Sequence, residues 1–383
     1  MIKRIAIKGF KSLVDVSVDL GNVTVLIGRS GTGKTNFVHA VRFLRDYLLQ
    51  KETSLQPIGG WTKVHSLAVP EARDQATEIR FDVLFAIPNV TGDFSYSLAF
   101  VGRNMGQAYQ PLEESLSLNG NTLYHLRQGK WLREPNVIPA VPPTGLALDR
   151  ISGIDDVVLA YHFLTSGIGC YDFSGSVLAS PSRPNPTLNG GLRDNAENYL
   201  EVLDALVKDF RSVPSRRAIL AAVKLLNGSI ASVDLDMPSR QRVLVGYSFG
   251  GRTTMMDLAQ QSEGFRRFLA HLVALYQSPS KQTLIFEEPE KGIFPGALAA
   301  LADEFKSCAT TGRGQVVLTT HSPELLNSFE PEQIRAVEID GLATTIGSVS
   351  SEQLEALRER LMTPGELLTV DLARVADVQP VAS

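Results

Sequence analysis

Apolar and polar residues alternate along residues 2–8 and 15–27, and this period of two predicts β-strands. The second stretch ends in the largely apolar run Val23–Ile27, which is typical of a buried strand. A glycine-rich turn follows at once. Beyond it, apolar side chains recur at helical spacing over residues 36–49, so strand, turn and helix come in immediate succession.

The pattern changes in the middle of the chain. From about residue 78 to 132, short alternating runs with an Asn-Gly-Asn turn predict an antiparallel β subdomain. Residues 145–225 contain longer stretches of helical period, including 198–210, and a proline-rich break at Ser180–Pro186. This part is therefore predicted to be mainly helical.

After about residue 233 the pattern returns to alternating strands and helices. Its predicted elements are helices at 264–276, 297–307 and 352–361, strands at 283–286 and 315–319, and a hairpin around Asp340-Gly341.

Length and composition describe a globular protein. The 383 residues allow two or three lobes, and 44% hydrophobic and 20% charged residues are ordinary values. No window approaches the roughly 18 to 20 apolar residues of a membrane span, and the N-terminus lacks a signal-peptide pattern. We therefore expect a cytoplasmic location without a membrane partner.

Charge and cysteine content narrow the class further. Two cysteines, Cys170 and Cys308, cannot form a disulfide framework or a metal cluster. The net charge of −4 gives no general attraction to phosphate backbones, so nucleic-acid binding is possible only through a local basic patch. A run of basic residues at 211–224 is more typical of a solvated helix face.

The turn after Val23–Ile27 fits the phosphate-loop pattern G-x-x-x-x-G-K-[S/T]. Its glycines let backbone N–H groups surround a phosphate, and the following helix offers its positive end. Lys34 is expected to neutralise the β- and γ-phosphates of ATP, and the Thr35 hydroxyl to bind Mg²⁺; a glycine turn that binds nothing is the alternative. The predicted nucleotide-binding residues are Gly28, Arg29, Ser30, Gly31, Thr32, Gly33, Lys34, Thr35 and Asn36.

The apolar run 284–286 ends in the paired acids Glu287 and Glu288. In such a strand the first acid lies near Mg²⁺ and the second can polarise an attacking water, so Glu287 is a predicted metal ligand and Glu288 the predicted base. The first acid is usually Asp, and the extra methylene of Glu287 still permits a water-mediated contact. The alternative is an acidic strand end that only faces solvent.

Two further segments supply candidate residues of the nucleotide site. The apolar run 316–318 leads to His321 at the carboxyl edge of the sheet, where a histidine can contact the γ-phosphate and the water. Ser262 and Gly264 precede an amphipathic helix whose start can bind an anion, although a plain helix cap by Ser262 explains the local sequence equally well.

In their order, the phosphate loop, signature, acidic strand and switch histidine resemble those of ABC-type ATPase heads. The opening Ile5–Ser12 looks like the start of RecF and structural-maintenance-of-chromosomes (SMC) heads. Closer still are standalone bacterial AAA ATPases related to the overcoming-lysogenisation-defect family, which have a Ser-x-Gly-x-x-Arg signature and a Glu-Pro-Glu motif. Gln261 and Phe294 differ from the residues usual there, and with Glu287 these departures are compatible with slow turnover.

The resemblance implies an α/β fold: an ABC-type P-loop NTPase head with a mixed core sheet, an antiparallel β subdomain and a helical lobe. The predicted segments are 1–135 (nucleotide-binding lobe with the β subdomain), 136–232 (mainly helical lobe), 233–345 (signature, acidic strand and histidine) and 346–383 (C-terminal tail). It also implies a homodimer or higher homo-oligomer in which Ser262 and Gly264 of one subunit complete the ATP site of another.

A rival pattern, G-x-S-x-G around Ser248, is typical of the nucleophile elbow of α/β-hydrolases. Asp303 and His321 even supply the chain order Ser, Asp, His. No His-Gly pair is available for an oxyanion loop, and a hydrolase would leave Lys34 and Glu288 without a role. We therefore favour a strand and turn that lead into the signature segment.

Several outputs fit an ATPase head. A chromosome-organising role would need a long coiled coil, which residues 36–261 lack, and the residues after His321 are too few for a fused nuclease. The hypothesis is a nucleotide-driven dimer that senses or scaffolds for a separately encoded effector, such as a nuclease in anti-phage defence. The alternative is a RecF-like DNA-repair ATPase that binds duplex DNA.

Overall fold

The computed structural model describes residues 1–55, 60–66, 77–102, 110–136, 145–179, 191–236 and 242–376. The strands in this part of the chain are β1 Ile2–Phe10, β2 Leu13–Asp19, β3 Val23–Ile27, β4 Thr77–Phe85, β5 Phe94–Gly102, β6 Gln110–Leu118, β7 Asn121–Arg127, β8 Lys130–Arg133, β9 Ile168–Tyr171, β10 Ile230–Asp236, β11 Arg242–Phe249, β12 Arg252–Asp257, β13 Thr283–Glu287, β14 Gln315–Thr319, β15 Ile334–Asp340 and β16 Ala343–Ser348. The helices are α1 Lys34–Gln50, α2 Asp155–Leu164, α3 Gly175–Ala179, α4 Tyr199–Lys208, α5 Val213–Leu226, α6 Glu263–Tyr276, α7 Leu298–Thr310, α8 Pro323–Leu326, α9 Ser351–Arg358 and α10 Glu366–Thr369.

The chain forms two compact units, and each is assembled from separate stretches. Unit 1 contains the described residues of Met1–Ile168, Pro331–Met362 and Val370–Ser383. Unit 2 contains those of Gly169–Glu330 and Thr363–Thr369.

Unit 1 contains an antiparallel sheet with the strand order β2-β1-β4-β5-β6-β7-β8. Alternate side chains of these strands are buried, as in Ile5 and Ile7 of β1, because one face packs against the core. The core also includes Phe43 of α1, whose ring centroid lies 5.7 Å from that of Phe81. The predicted antiparallel subdomain is confirmed, and β1 and β2 belong to the same sheet.

Unit 1 also holds the strand that precedes the phosphate loop. All five residues of β3 are buried, and β3 pairs in parallel with β15. β15 and β16 form the predicted hairpin, in which Asp340 pairs with Ala343 and Gly341 adopts a φ of 57°. The β3 position is therefore determined by a strand more than 300 residues further along the chain.

Unit 2 contains two groups of strands. β13 and β14 pair in parallel, with β9 beside β13, and β10, β11 and β12 form an antiparallel sheet. Helix α7 connects β13 to β14, as a parallel pair requires. The predicted strands at 283–286 and 315–319 and helices at 264–276 and 297–307 are confirmed, with ends shifted by a few residues.

The middle of the chain differs in part from its prediction. It contains the expected α4 and α5, but also the strands β9 and β10, because four to seven residues of extended backbone suffice to join a sheet. The proline-rich segment Ser180–Pro186 lies outside the described residues.

Buried aromatic side chains fill the centre of unit 2. The Phe286 ring of β13 lies 4.9 Å from Phe305 of α7 and 5.4 Å from the buried His271 of α6, measured between ring centroids. His271 Nδ1 donates a hydrogen bond to the Arg267 carbonyl oxygen at 2.7 Å. Burial lowers the pKa of His271 to about 3, so this histidine is neutral in the folded protein.

Candidate functional site

The phosphate-loop segment of unit 1 runs from the end of β3 into α1. Lys34, the first residue of α1, is only 5% exposed, and its Nζ donates to the carbonyl oxygens of Gly28 at 2.8 Å and Arg29 at 2.9 Å. The helix begins without a side-chain cap. The Lys34 side chain therefore folds back over the phosphate loop.

Two glycines of this loop cannot be replaced without moving their neighbours. Gly28 has a φ of 156°, and a Cβ there would lie 2.2 Å from the Val337 carbonyl oxygen. Gly33 has a φ of 108°, and a Cβ there would lie 2.2 Å from the Thr344 hydroxyl oxygen. The loop path therefore requires glycine at both positions.

A cluster of polar side chains, which the sequence did not reveal, supports the phosphate loop. The Thr344 hydroxyl lies 2.7 Å from both the Ser12 hydroxyl and the carbonyl oxygen of Thr32. Asn36, predicted as a nucleotide contact, donates from Nδ2 to the Ser12 hydroxyl at 2.8 Å. The opening segment and β16 thus hold the loop through Ser12 and Thr344.

The remaining loop residues differ in exposure. Arg29, Ser30 and Gly31 are exposed at the rim, whereas Thr32 is buried and Thr35 is half-buried. The exposed residues can approach a ligand, and the buried ones maintain the loop path.

The acidic pair of unit 2 lies at the ends of two paired strands. Glu287 is opposite Thr319 in the β13–β14 register, and both acids are half-buried. Glu288 follows with a left-handed φ of 44°, and its N–H donates to the Thr319 carbonyl oxygen at 3.0 Å. This hydrogen bond fixes the turn that separates the two carboxylates.

The structure brings Glu288 and His321 together. His321 Nε2 lies 3.9 Å from Glu288 Oε1, and Lys291 Nζ lies 3.2 Å from Glu288 Oε2. One carboxylate oxygen of the predicted base, Glu288, therefore lies near the His321 ring, and the other lies near the Lys291 ammonium group.

Glu290 is a residue of this site to which the sequence assigned no role. Its Oε1 accepts hydrogen bonds from the Thr320 hydroxyl and the His321 N–H, both at 2.8 Å. Burial raises the pKa of its carboxyl, an effect opposed by these hydrogen bonds. The Glu-Pro-Glu motif was the available signal, but it gives no partner for the second acid.

The signature segment is a well-formed helix start. Ser262 caps α6 by accepting a hydrogen bond from the Phe265 N–H at 3.2 Å. Gly264 packs against the turn after Glu290, where a Cβ would lie 2.5 Å from the Gly292 carbonyl oxygen. A groove of about 950 Å³ runs beside Ser262 and Gly264, and the 77% exposed Phe294 lines it.

The structure rules out the nucleophile elbow. Ser248 lies within β11, which turns at Gly250-Gly251 into the antiparallel β12, so no helix follows the serine. Asp303 pairs with Lys306 on the surface of α7, and His321 lies beside Glu288. The G-x-S-x-G pattern instead reflects a hairpin with glycines at its turn.

Two structural observations concern metals and membranes. Among the described residues, no group of three or more His, Cys, Asp or Glu side chains could hold a metal ion. Within the same residues, no helix combines the length and the apolar character needed to cross a membrane.

Two stretches of the chain match families of AAA ATPase domains. Residues 181–327 match the family described as "AAA domain, putative AbiEii toxin, Type IV TA system", and residues 1–95 match the family described as "AAA ATPase domain". A search of curated proteins finds no match.

Solved structures show the same fold. The SmcHead bound to the C-winged helix domain of ScpA has a TM-score of 0.58 and 14% identity, covering 92% of this chain and 99% of that one. An Smc head with an extended coiled coil, bound to the C-terminal domain of ScpA from Pyrococcus furiosus, has a TM-score of 0.55 and 13% identity, covering 94% and 99%. The chain thus has the fold of an SMC head, and two of its stretches are similar to ATPase domain families.

Proposed function

We propose that the protein binds and hydrolyses ATP with Mg²⁺ and uses the nucleotide to switch between subunit arrangements. The observation that carries the proposal is the pairing of Glu288 with His321 at the ends of β13 and β14, in a chain that also has a complete phosphate loop. A hydrolase using Ser248 is excluded by the β11–β12 hairpin.

The residues of the loop fit a triphosphate. Lys34 is held over the loop by two carbonyl oxygens at the positive end of α1, so the charge at this end of the helix suits an anion. Thr35 and Glu287 are the proposed Mg²⁺ ligands. Bound Mg²⁺ would neutralise charge that develops on the phosphates during transfer.

In the proposed reaction, Glu288 takes a proton from a water whose oxygen attacks the γ-phosphorus. The bond between that phosphorus and the bridging oxygen breaks, and its electron pair leaves with ADP. His321 would donate a hydrogen bond to the γ-phosphate and keep the water in reach of Glu288. The products are ADP and phosphate, and Glu288 returns its proton to solvent.

The signature segment supports a dimer switch. Ser262 and Gly264 form an accessible helix start beside an open groove, and the positive end of α6 suits the γ-phosphate held by a second subunit. ATP would therefore join two subunits, and hydrolysis would remove the group that joins them.

We further propose that the switch acts on a separately encoded effector, such as a nuclease in anti-phage defence. Two considerations support this. Similar heads were solved with a domain of ScpA bound, and the family description for residues 181–327 names a toxin and a type IV TA system. A role as a RecF-like ATPase on duplex DNA remains the alternative.

ATP hydrolysis by the purified protein tests the proposed activity, with Lys34→Ala as the control that removes the phosphate-binding ammonium. Phosphate release by the parent and none by the variant is the expected result. Co-purification with the product of the neighbouring gene tests the effector. A permease as that neighbour, or ATP-dependent binding to duplex DNA, would contradict the effector proposal.

A further inference from the structure

The segment that carries His321 leaves the sheet just before the histidine. β14 ends at Thr319, so the backbone N–H of His321 is outside the strand ladder. That N–H donates instead to Oε1 of Glu290, which lies in the turn after β13. The histidine backbone is thus anchored by a carboxylate from a different segment of unit 2.

Thr320 strengthens the same anchor. It is fully buried, and its hydroxyl donates to the same Glu290 oxygen while accepting a hydrogen bond from the Ser322 N–H at 3.0 Å. Ser322 in turn caps α8 by accepting from the Leu325 N–H at 3.1 Å. A continuous chain of hydrogen bonds therefore fixes the residues on both sides of His321.

The two strand ends hold each other reciprocally. The N–H of Glu288 donates to Thr319, and Glu290 accepts from Thr320 and His321. Together these contacts set the 3.9 Å separation of His321 Nε2 and Glu288 Oε1. None of these three hydrogen bonds uses the Glu288 carboxylate or the His321 ring.

Glu290 keeps this role at a cost. Within the described part of the chain, its Oε2 is buried and has no hydrogen-bond partner. A buried oxygen without a partner is unfavourable, but an apolar residue here would leave the Thr320 hydroxyl and the His321 N–H without their acceptor. The carboxylate is therefore explained by the two donors that its other oxygen holds.

We propose that Glu290 is a positioning residue that holds His321 in reach of Glu288. The inference rests on the proposed function, because it presumes that this pair acts in ATP hydrolysis. Glu290 itself contacts neither water nor phosphate in this account. It acts through the backbone of His321.

Replacement of Glu290 by Ala and by Gln tests whether the Glu290 oxygen that accepts these hydrogen bonds positions His321. Ala removes the acceptor for both hydrogen bonds, and because small misplacements of catalytic groups are costly, we expect kcat to fall at least ~10-fold while the KM for ATP changes less than ~2-fold. Gln keeps an oxygen that accepts the same two bonds, so Glu290→Gln should stay within ~3-fold of the parent. Glu290→Asp, one methylene shorter, is the second variant should Ala impair folding, and is expected to fall between the two.

A double-mutant cycle with His321→Ala tests whether Glu290 acts through the histidine. In the His321→Ala background, Glu290→Ala should lower kcat by less than ~2-fold, since the group it positions is already gone. Equal losses in both backgrounds, or a Gln variant as impaired as Ala, would overturn the inference.

A spectroscopic readout keeps the inference testable without hydrolysis. The chain has six histidines, so the ring signals of His321 can be assigned by comparison with His321→Ala. Glu290→Ala should shift these signals and Glu290→Gln should not; unchanged signals in both variants would overturn the positioning role. Absence of Lys34-dependent hydrolysis in the parent would instead contradict the proposed function alone.

Discussion

The hydroxyl of Thr344 lies 2.7 Å from the carbonyl oxygen of Thr32 inside the phosphate loop, although 312 residues separate them in the chain. Thr344 is buried in β16, and the same hydroxyl lies 2.7 Å from Ser12. The loop that we propose to bind ATP is therefore supported by Thr344 of β16 together with Ser12, near the start of the chain.

Loss of this hydroxyl should weaken ATP binding. Thr344→Val keeps the branched shape but leaves the Thr32 carbonyl without its buried partner, which costs about 1 to 3 kcal/mol. If about half of that falls on the loop conformation that binds phosphate, the Kd for ATP rises roughly two- to tenfold. Isothermal titration with ATP measures it.

Thr345→Val is the matched control, because Thr345 is the next residue of β16 and is exposed. It should bind ATP like the parent. Equal affinities for all three proteins would show that the loop does not depend on β16.

Gly264→Ala should uncouple ATP binding from hydrolysis. The added Cβ would lie 2.5 Å from the Gly292 carbonyl oxygen, so the start of α6 must move. We expect ATP affinity to be unchanged, since the loop of unit 1 is intact, and ATP-driven association and hydrolysis to fall at least ~10-fold. Light scattering and phosphate release measure the two effects.

Gly228→Ala is a suitable control, because a Cβ at Gly228 meets no atom within 4 Å. This variant should associate and hydrolyse ATP normally. A Gly264→Ala protein that also does so would refute the role of the signature segment.

Removal of the lysine beside the proposed base should raise turnover modestly. Lys291 Nζ lies 3.2 Å from Glu288 Oε2 and competes for this oxygen with the water that the proposed base must contact. Because the pair is partly exposed and screened, Lys291→Met should increase kcat only about two- to threefold. Steady-state phosphate release at low salt is the measurement.

Lys306→Met removes a comparable ion pair, the 2.8 Å contact with Asp303 on α7, and should leave kcat unchanged. A fall in kcat for Lys291→Met, with no change for Lys306→Met, would show that Lys291 assists Glu288 instead.

Stability should fall in acid because of His271. The unfolded chain binds a proton at this ring near pH 6.5, whereas the buried ring stays neutral down to about pH 3. Between these values the unfolded state gains the proton, so the free energy of unfolding falls with pH by about 1.4 kcal/mol per unit from this group.

His271→Leu should remove that contribution. Chemical denaturation at pH 7 and pH 5 should show a smaller loss of unfolding free energy in the variant than in the parent. Parallel losses would mean that other groups cause the acid sensitivity.

The strands that precede the proposed site residues were predictable because each is a short apolar run that ends in polar residues. This holds for β3 before the loop, β13 before Glu287 and β14 before His321. The start of α1 was also predictable, because a glycine turn directly precedes a stretch of helical period.

Contacts between distant segments were not predictable. The links from Thr344 to Thr32 and from Glu290 to His321 join residues that no local pattern connects. β9 has only four residues and no alternation, so it was absorbed into a helical prediction. The predicted segments follow chain order, whereas each compact unit combines separate stretches.

The central claim is that ATP joins two subunits and hydrolysis releases them. Glu288→Gln removes the proposed base and leaves Lys34 and Ser262 in place, so this variant should trap the joined state. Light scattering with ATP and Mg²⁺ should then give about twice the 41.7 kDa of one chain, or a higher multiple, and a smaller mass without nucleotide. The same mass under both conditions, or hydrolysis at the parent rate, would contradict the account.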